Sequence, residues 1–267
     1  MPELPEVETV KSSLEPHLIG KTIKEVKVLY KNLIDTDDFE KKLVNQKIIK
    51  LNRVGKFIIF HLTDKTLISH LRMEGKYFLR ENNDIYKHDH VVFKLDNGLN
   101  LVYNDVRKFG RFKILSKDKY LNEKPLSNLG PEPKNANVNQ IFRILKKKNV
   151  SIKTALLDQK VISGLGNIYV DETLFESKIH PLKKTYKLKY FEVKKIIENA
   201  IKILESAINM GGTTIRTYYS TMGIDGKFQN KLKIHTKINQ PCLNCKQKIE
   251  KIKVSGRGTY VCKNCQK

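Results

Sequence analysis

Apolar residues recur along this chain at two different periods, and the change between them divides it. Over residues 5–15, Val7, Val10 and Leu14 fall at helical spacing and Pro16 follows as a stop, which predicts an N-terminal helix. From about residue 22 to 115 the texture becomes one of short β-rich runs, clearest at 23–30, 57–62, 67–71, 91–95 and 99–103. Asp96-Asn97-Gly98 between the last two is a hairpin turn, because Asn and Gly accept the positive φ that tight hairpins need. Short strands at this spacing predict a β-sandwich. Residues 116–136, rich in Lys, Asn, Gly and Pro, read as a linker.

Beyond the linker the period is helical. Ile141, Ile144 and Leu145 fit one helix, and Ile152, Ala155 and Leu156 a second. Val193, Ile196, Ile197, Ala200, Ile201, Leu204, Ala207 and Ile208 form the apolar stripe of a long third, which Gly211-Gly212 ends. A polar stretch, 216–238, reads as a flexible loop. The expected class is therefore α+β: a helix-plus-sandwich domain over 1–115, the linker, a helical domain over 137–240 and a small hairpin over 241–267.

Charge narrows the list of partners. Lys and Arg number 51 against 28 Asp and Glu, a net +23 that predicts attraction to a polyanion, usually nucleic acid. Forty-three of the basic residues are lysine, a bias that an AT-rich genome also produces. No apolar run approaches the ~18 residues of a membrane span, and the start lacks the pattern of a secretory signal. The expectation is a cytoplasmic, nucleoid-associated protein.

All four cysteines lie near the C-terminus, as Cys242-x2-Cys245 and Cys262-x2-Cys265 separated by sixteen residues. Paired clusters at this spacing predict one structural Zn2+, because four thiolates complete a tetrahedral shell with no open position. The interval holds two strand-like runs around Gly256-Arg257-Gly258, so Arg257 stands at the tip of a metal-pinned hairpin. Such a tip suits a DNA groove; the plainer alternative is a ribbon that only stabilises the C-terminus.

The chain opens Met1-Pro2-Glu3-Leu4-Pro5-Glu6. Removal of Met1 would free the secondary amine of Pro2. An α-amino group with a pKa of about 7.7–8.0 is roughly a fifth to a third unprotonated near neutral pH, against about one lysine in a thousand. Such an amine can attack a sugar C1′ and form an iminium. Glu3 and Glu6, one helical turn apart, are placed for proton transfer or positioning. The competing explanation is ordinary, since Pro and Glu are favoured at helix starts.

The string Met1 to Glu8, taken with the cysteine pattern, resembles the formamidopyrimidine-DNA glycosylase family. Further similar motifs run in order along the chain: Gly55-Lys56-Phe57, His70 to Gly75, Lys87 to His90, Asp105 to Gly110, Leu129 to Pro133, Lys153 to Asp158, Gly164 to Tyr169 and Gly211 to Arg216. The resemblance implies a helix–two-turn–helix domain after the sandwich, and a monomer acting on damaged double-stranded DNA. It makes Pro2 the nucleophile and Glu3 the acid/base, and has Lys56 and Arg257 assist elimination while touching phosphate. His88, Arg107, Lys148 and Asn167 become DNA contacts. Met73, Arg107 and Phe109 fill the gap left by an extruded base, although by pattern alone Met73 and Phe109 read as core. The segment Arg216 to Lys233 resembles the cover over that base. One departure stands out: Ile234-His235-Thr236-Lys237 occupies the place where the family tends to carry Val-Tyr-Gly-Arg/Lys.

The expected reaction is excision of oxidised purines followed by β,δ-elimination. Two rivals remain at this stage. One is the sister class acting on oxidised pyrimidines, which shares the fold and the proline. The other is a zinc-hairpin DNA binder without catalysis.

Overall fold

The structure is a computed structural model, and it describes residues 1–213 and 226–267. Two compact units result, one from residues 1–127 with 211–227 and one from 128–210 with 228–267.

In the first unit, helix α1 (Leu4–Leu18) is followed by strand β1 (Ile23–Val28), the short helix α2 (Phe39–Leu43) and strands β2 (Ile48–Val54), β3 (Phe57–Leu62), β4 (Lys65–His70), β5 (Lys76–Arg80), β6 (Asp89–Leu95), β7 (Asn100–Asn104) and β8 (Arg111–Ser116). They form two antiparallel four-stranded sheets, ordered β1-β6-β7-β5 and β2-β3-β4-β8. The sandwich expected from the alternation is present. Val7, Val10, Leu14 and Leu18 of α1 are fully buried in the same core as Ile58, Phe60, Tyr77, Tyr103 and Phe112. Each such side chain contributes about 1.5–3 kcal/mol.

Pro16 does not end α1. The helix runs two residues past it, and the Ile19 amide still reaches the Glu15 carbonyl at 3.2 Å. A proline near a helix C-terminus removes one backbone hydrogen bond, and burial of Leu18 favours keeping the last turn. The hairpin at 96–98 forms as its residues dictate, with Gly98 at φ 84° and its amide on the Leu95 carbonyl.

The second unit holds α3 (Val138–Lys146), α4 (Ile152–Leu157), α5 (Asn167–Ser177) and α6 (Tyr190–Asn209), then strands β9 (Glu250–Val254) and β10 (Arg257–Val261). Caps expected of polar residues are in place: the Asn137 side chain accepts from the Gln140 amide, and Ser151 from Thr154. The apolar stripe of α6 packs as its period requires, with Val193, Ile196, Ile197, Ala200, Leu204 and Ala207 buried. The helix ends at Asn209, before Gly211 at φ 73°. Gly130 packs so tightly on the 160–161 backbone that a Cβ there would lie 2.6 Å from carbonyl oxygens.

The described part of the polar stretch 216–238 is not the flexible loop expected of it. Residues 214–225 lie outside the described residues. Beyond them Phe228–Lys231 make a 3-10 turn, and Ile234 and His235 are buried. The reason is Glu172, whose carboxylate accepts the amides of Lys233, Ile234 and His235 at 2.9, 3.0 and 2.8 Å. Burial of that carboxyl raises its pKa, and the three amides act in the opposite direction.

Candidate active site

The N-terminus of the first unit is buried from Pro2 onward, while Met1 is exposed. Glu3 is the N-cap of α1, and its amide donates to Glu6 Oε2 at 2.9 Å. The other oxygen, Glu6 Oε1, accepts from the Thr213 amide at 2.8 Å and lies 3.1 Å from its hydroxyl. Glu3 and Glu6 are 2 % and 4 % exposed. Two buried acids at a helix start are more than helix-favouring surface residues, because burying a carboxylate is costly without donors aimed at it.

Lys56 follows Gly55 in the β2–β3 turn, where Gly55 has φ 57°. The turn is braced by Arg53, which donates to the Gly55 carbonyl at 2.9 Å and to Glu8 of α1 at 2.7 Å. Lys56 is 5 % exposed, so it is not a solvated lysine at a strand edge. Buried His70, edge-on to Phe57 at 4.5 Å, accepts from the Arg72 amide through Nδ1 at 2.9 Å. Burial first, then the charges of Arg72 and Lys56, push its pKa down to about 3. It is a neutral acceptor that holds Arg72 at φ 55° and sets the path of the loop to Met73.

The loop Asp105–Gly110 is built around one side chain. Asp105 is fully buried and accepts the amides of Arg107, Phe109 and Gly110 at 3.0, 2.9 and 2.8 Å. Asp105 also donates its own amide to the carbonyl of His88, at φ 74°. The result is an exposed Arg107 with its guanidinium 5.0 Å from the Phe109 ring centroid, and a Phe109 that is 47 % exposed. Phe109 is therefore not core, contrary to its hydrophobicity, and Met73 is half-buried. Gly75 and Gly110, which close the two loops, both abut the Tyr103 hydroxyl so closely that no Cβ fits at either. The two loops are thus seated on one buried tyrosine. Asp105 was invisible as a functional residue in sequence, although Asp that bonds amides a few positions on is a known turn former.

In the second unit, Cys242, Cys245, Cys262 and Cys265 gather, with all four sulfurs within 4.8 Å of one another. Sulfurs around a tetrahedral zinc with ~2.3 Å bonds stand roughly 3.8 Å apart, so the donor set fits the ion. Ser255 and Gly256, at φ 47° and 77°, make the two-residue turn that joins β9 to β10. Arg257 is exposed at the first position of β10.

Lys148, between α3 and α4, is half-buried, with its ammonium 3.5 Å from Asp158. Asn167 is the first residue of α5, and its Nδ2 donates to the Gly258 carbonyl at 3.0 Å. One N–H of its side-chain amide is thus engaged with the hairpin, while its Oδ1 is buried with no hydrogen-bond partner among the described residues. Pro2, Glu3, Glu6, Lys56, Met73, His88, Arg107 and Phe109 belong to the first unit, and Lys148, Asn167, Arg257 and the cysteines to the second.

Residues 1–112 match the formamidopyrimidine-DNA glycosylase N-terminal domain, 129–219 the H2TH domain of the same enzymes, and 239–267 a zinc finger found in FPG and IleRS. A formamidopyrimidine-DNA glycosylase from Mycoplasma mobile is 45% identical over 271 residues, covering 100% of this chain and 99% of that protein. One from Oceanobacillus iheyensis is 47% identical over 273 residues, covering 100% and 98%. A Lactococcus lactis FPG variant in complex with Fapy-dG DNA superimposes with a TM-score of 0.94 at 41% identity, over 99% of both chains.

The chain belongs to the formamidopyrimidine-DNA glycosylase family. It is a DNA glycosylase of base excision repair, in a family whose enzymes combine glycosylase and abasic-site lyase activity, with DNA as partner and a zinc-finger hairpin. No helix among the described residues is long and apolar enough to cross a membrane.

Proposed function

We propose that this enzyme excises oxidised purines from duplex DNA as a monomer, through a Schiff base on Pro2, and then cleaves the strand by β,δ-elimination. With Met1 removed, the lone pair of the Pro2 nitrogen attacks C1′. The glycosidic bond breaks, and the base leaves with its electron pair and takes up a proton. Glu3 supplies the acid/base function as the sugar ring opens to the iminium. That iminium acidifies the 2′ hydrogen. Its loss expels the 3′ phosphate, and a second elimination expels the 5′ phosphate. Lys56 and Arg257 hold the phosphates. Met73 and Phe109 replace lost stacking and Arg107 hydrogen-bonds the orphaned base, offsetting the few kcal/mol that base extrusion costs.

The observation that carries the reading is the buried start: Pro2 fixed at the head of α1, with Glu3 and Glu6 buried directly after it and Glu6 anchored on both oxygens. Membership of the family and the match to a Lactococcus lactis Fpg complex with abasic-site DNA support the same chemistry. The test is borohydride trapping on duplexes that contain 8-oxoguanine or thymine glycol. Processed protein should form a covalent adduct with the purine lesion faster, and protein whose Pro2 nitrogen is blocked by acetylation should trap far less. Equal trapping by the blocked protein overturns the nucleophile, faster trapping on thymine glycol overturns the substrate class, and no adduct from unblocked protein leaves a pure binder.

A further inference from the structure

The departure at residues 234–237 puts a histidine inside the second unit, and that histidine completes a chain of buried polar groups. His235 Nδ1 lies 2.8 Å from Asp171 Oδ2. A carboxylate only accepts, so the ring carries its proton on Nδ1 and donates it. Asp171 Oδ1 in turn accepts from Lys153 Nζ at 2.6 Å, and both of those side chains are fully buried. The far end of the chain is the zinc hairpin. Lys153 Nζ lies 3.4 Å from the Gly258 carbonyl, and the Tyr260 amide points at Asp171 Oδ2 from 3.4 Å. The His235 and Tyr260 rings meet edge to face, with centroids 4.9 Å apart.

These contacts all fall on β10 immediately after Arg257. Two others brace the same tip, Thr154 to Ser255 between hydroxyls at 2.7 Å and Asn167 to Gly258 at 3.0 Å. A two-stranded hairpin has little rigidity of its own. Its zinc end is pinned by four cysteines, and its other end depends on this set. His235 is itself fixed from below, because its amide and those of Lys233 and Ile234 are bound by Glu172 on α5. A tyrosine at this position carries its donor at the far end of the ring, several ångströms beyond where Nδ1 stands, and does not reach Asp171 in the same way.

We propose that His235, acting through Asp171 and Lys153, aims the Arg257 tip of the zinc hairpin, and is therefore a positioning residue for the elimination step. This rests on the reading of Arg257 given above. His235 touches neither Arg257 nor DNA in this account; it orients the carboxylate that holds β10 in register.

The test uses full-length, zinc-loaded enzyme and three variants: His235→Phe, His235→Asn and Arg257→Gln. Asparagine places an amide N–H close to the position of Nδ1, whereas phenylalanine keeps the ring and loses the donor. Three readouts are taken: the ratio of δ- to β-elimination product, base release in single turnover, and amide hydrogen exchange over residues 256–260. His235→Phe should lower the δ:β ratio roughly tenfold, the size of one lost charge-assisted hydrogen bond, and speed exchange at 258–260. Base release should change less than about twofold, and His235→Asn should recover most of the ratio. Unchanged exchange and ratio in His235→Phe, or an Asn variant as impaired as the Phe variant, overturns the proposal. Should His235→Phe lose its zinc or fold, the Asn variant decides alone by the same two readouts. Arg257→Gln separates the premises: if it keeps a normal δ:β ratio, the role of Arg257 fails, and the positioning of the hairpin by His235 is then judged on amide exchange.

Discussion

Glu6 and Thr213 are 207 positions apart in sequence, yet Glu6 Oε1 receives the Thr213 amide at 2.8 Å. The other oxygen of the same carboxylate receives the Glu3 amide. One side chain thus ties the residue after Pro2 to the segment that follows α6, and holds the chain start in one orientation. This makes Glu6 a positioning group more than a proton donor, since both of its oxygens are engaged.

Gly212 tests that tie. It sits at φ 76°, and a Cβ there would lie 2.7 Å from Glu6 Oε1 and 3.1 Å from its Cγ. Gly212→Ala must therefore either strain the backbone, by about 1–2 kcal/mol, or push the carboxylate away. The expected outcome is a fall of at least tenfold in the single-turnover rate of adduct trapping, with zinc content unchanged. A variant that traps at the normal rate would show that the tie does not govern the chain start.

His70 gives the first unit a pH dependence of defined sign. Its folded pKa is about 3, against about 6.5 for a free histidine. Between those values the unfolded chain binds a proton that the folded one does not, so folding weakens as pH falls. The contribution is complete above about pH 6.5 and is lost toward pH 3, with a limiting slope of about 1.4 kcal/mol per pH unit. Urea denaturation of native protein and His70→Asn at pH 7, 5.5 and 4.5 should give curves that converge on acidification. Parallel curves would mean that His70 is not buried as a neutral ring.

Asp105 should be the most sensitive residue of the loops that carry Met73, Arg107 and Phe109. Its carboxylate satisfies three amides, of which that of Gly110 is buried. Asp105→Ala leaves them short of an acceptor, at a cost of about 3 kcal/mol. The loop it shapes carries Arg107 and Phe109, so affinity for lesion duplex should fall by more than the stability loss explains. Denaturation together with fluorescence-anisotropy titration checks both. Full affinity with lost stability would separate the loop from DNA binding.

Period and turn chemistry made much of this fold legible. The sandwich, the long α6 and the cysteine hairpin all follow from spacing that survives without tertiary context. What escaped was set by distant partners. Strand β5, with Lys76 and Arg80 at its ends, lacks a clean alternation and is held by pairing with β7. Phe109 looked like core because hydrophobicity says nothing about a loop that Asp105 turns outward. His235 stands in the sequence only as a departure from the family pattern, because its partner Asp171 lies 64 positions away. The cysteines needed no partner to be recognised, since their chemistry is written in their spacing.

The Lys153–Asp171 pair carries a sharper energetic claim. Both side chains are wholly buried at 2.6 Å, and the desolvation of two charges is large. Lys153→Met removes one charge and leaves Asp171 facing the interior with less to neutralise it, so the second unit should lose about 3–5 kcal/mol. Replacing both, as Lys153→Met with Asp171→Leu, removes the stranded charge and should recover much of that loss. His235 and the Tyr260 amide would then lack their acceptor, so recovery should be incomplete and exchange at the hairpin tip should stay fast. A double-mutant cycle by chemical denaturation, read beside amide exchange at 258–260, distinguishes the two contributions. Strict additivity of the two single changes would mean that the pair does not interact across its 2.6 Å, and the buried ion pair would have to be abandoned.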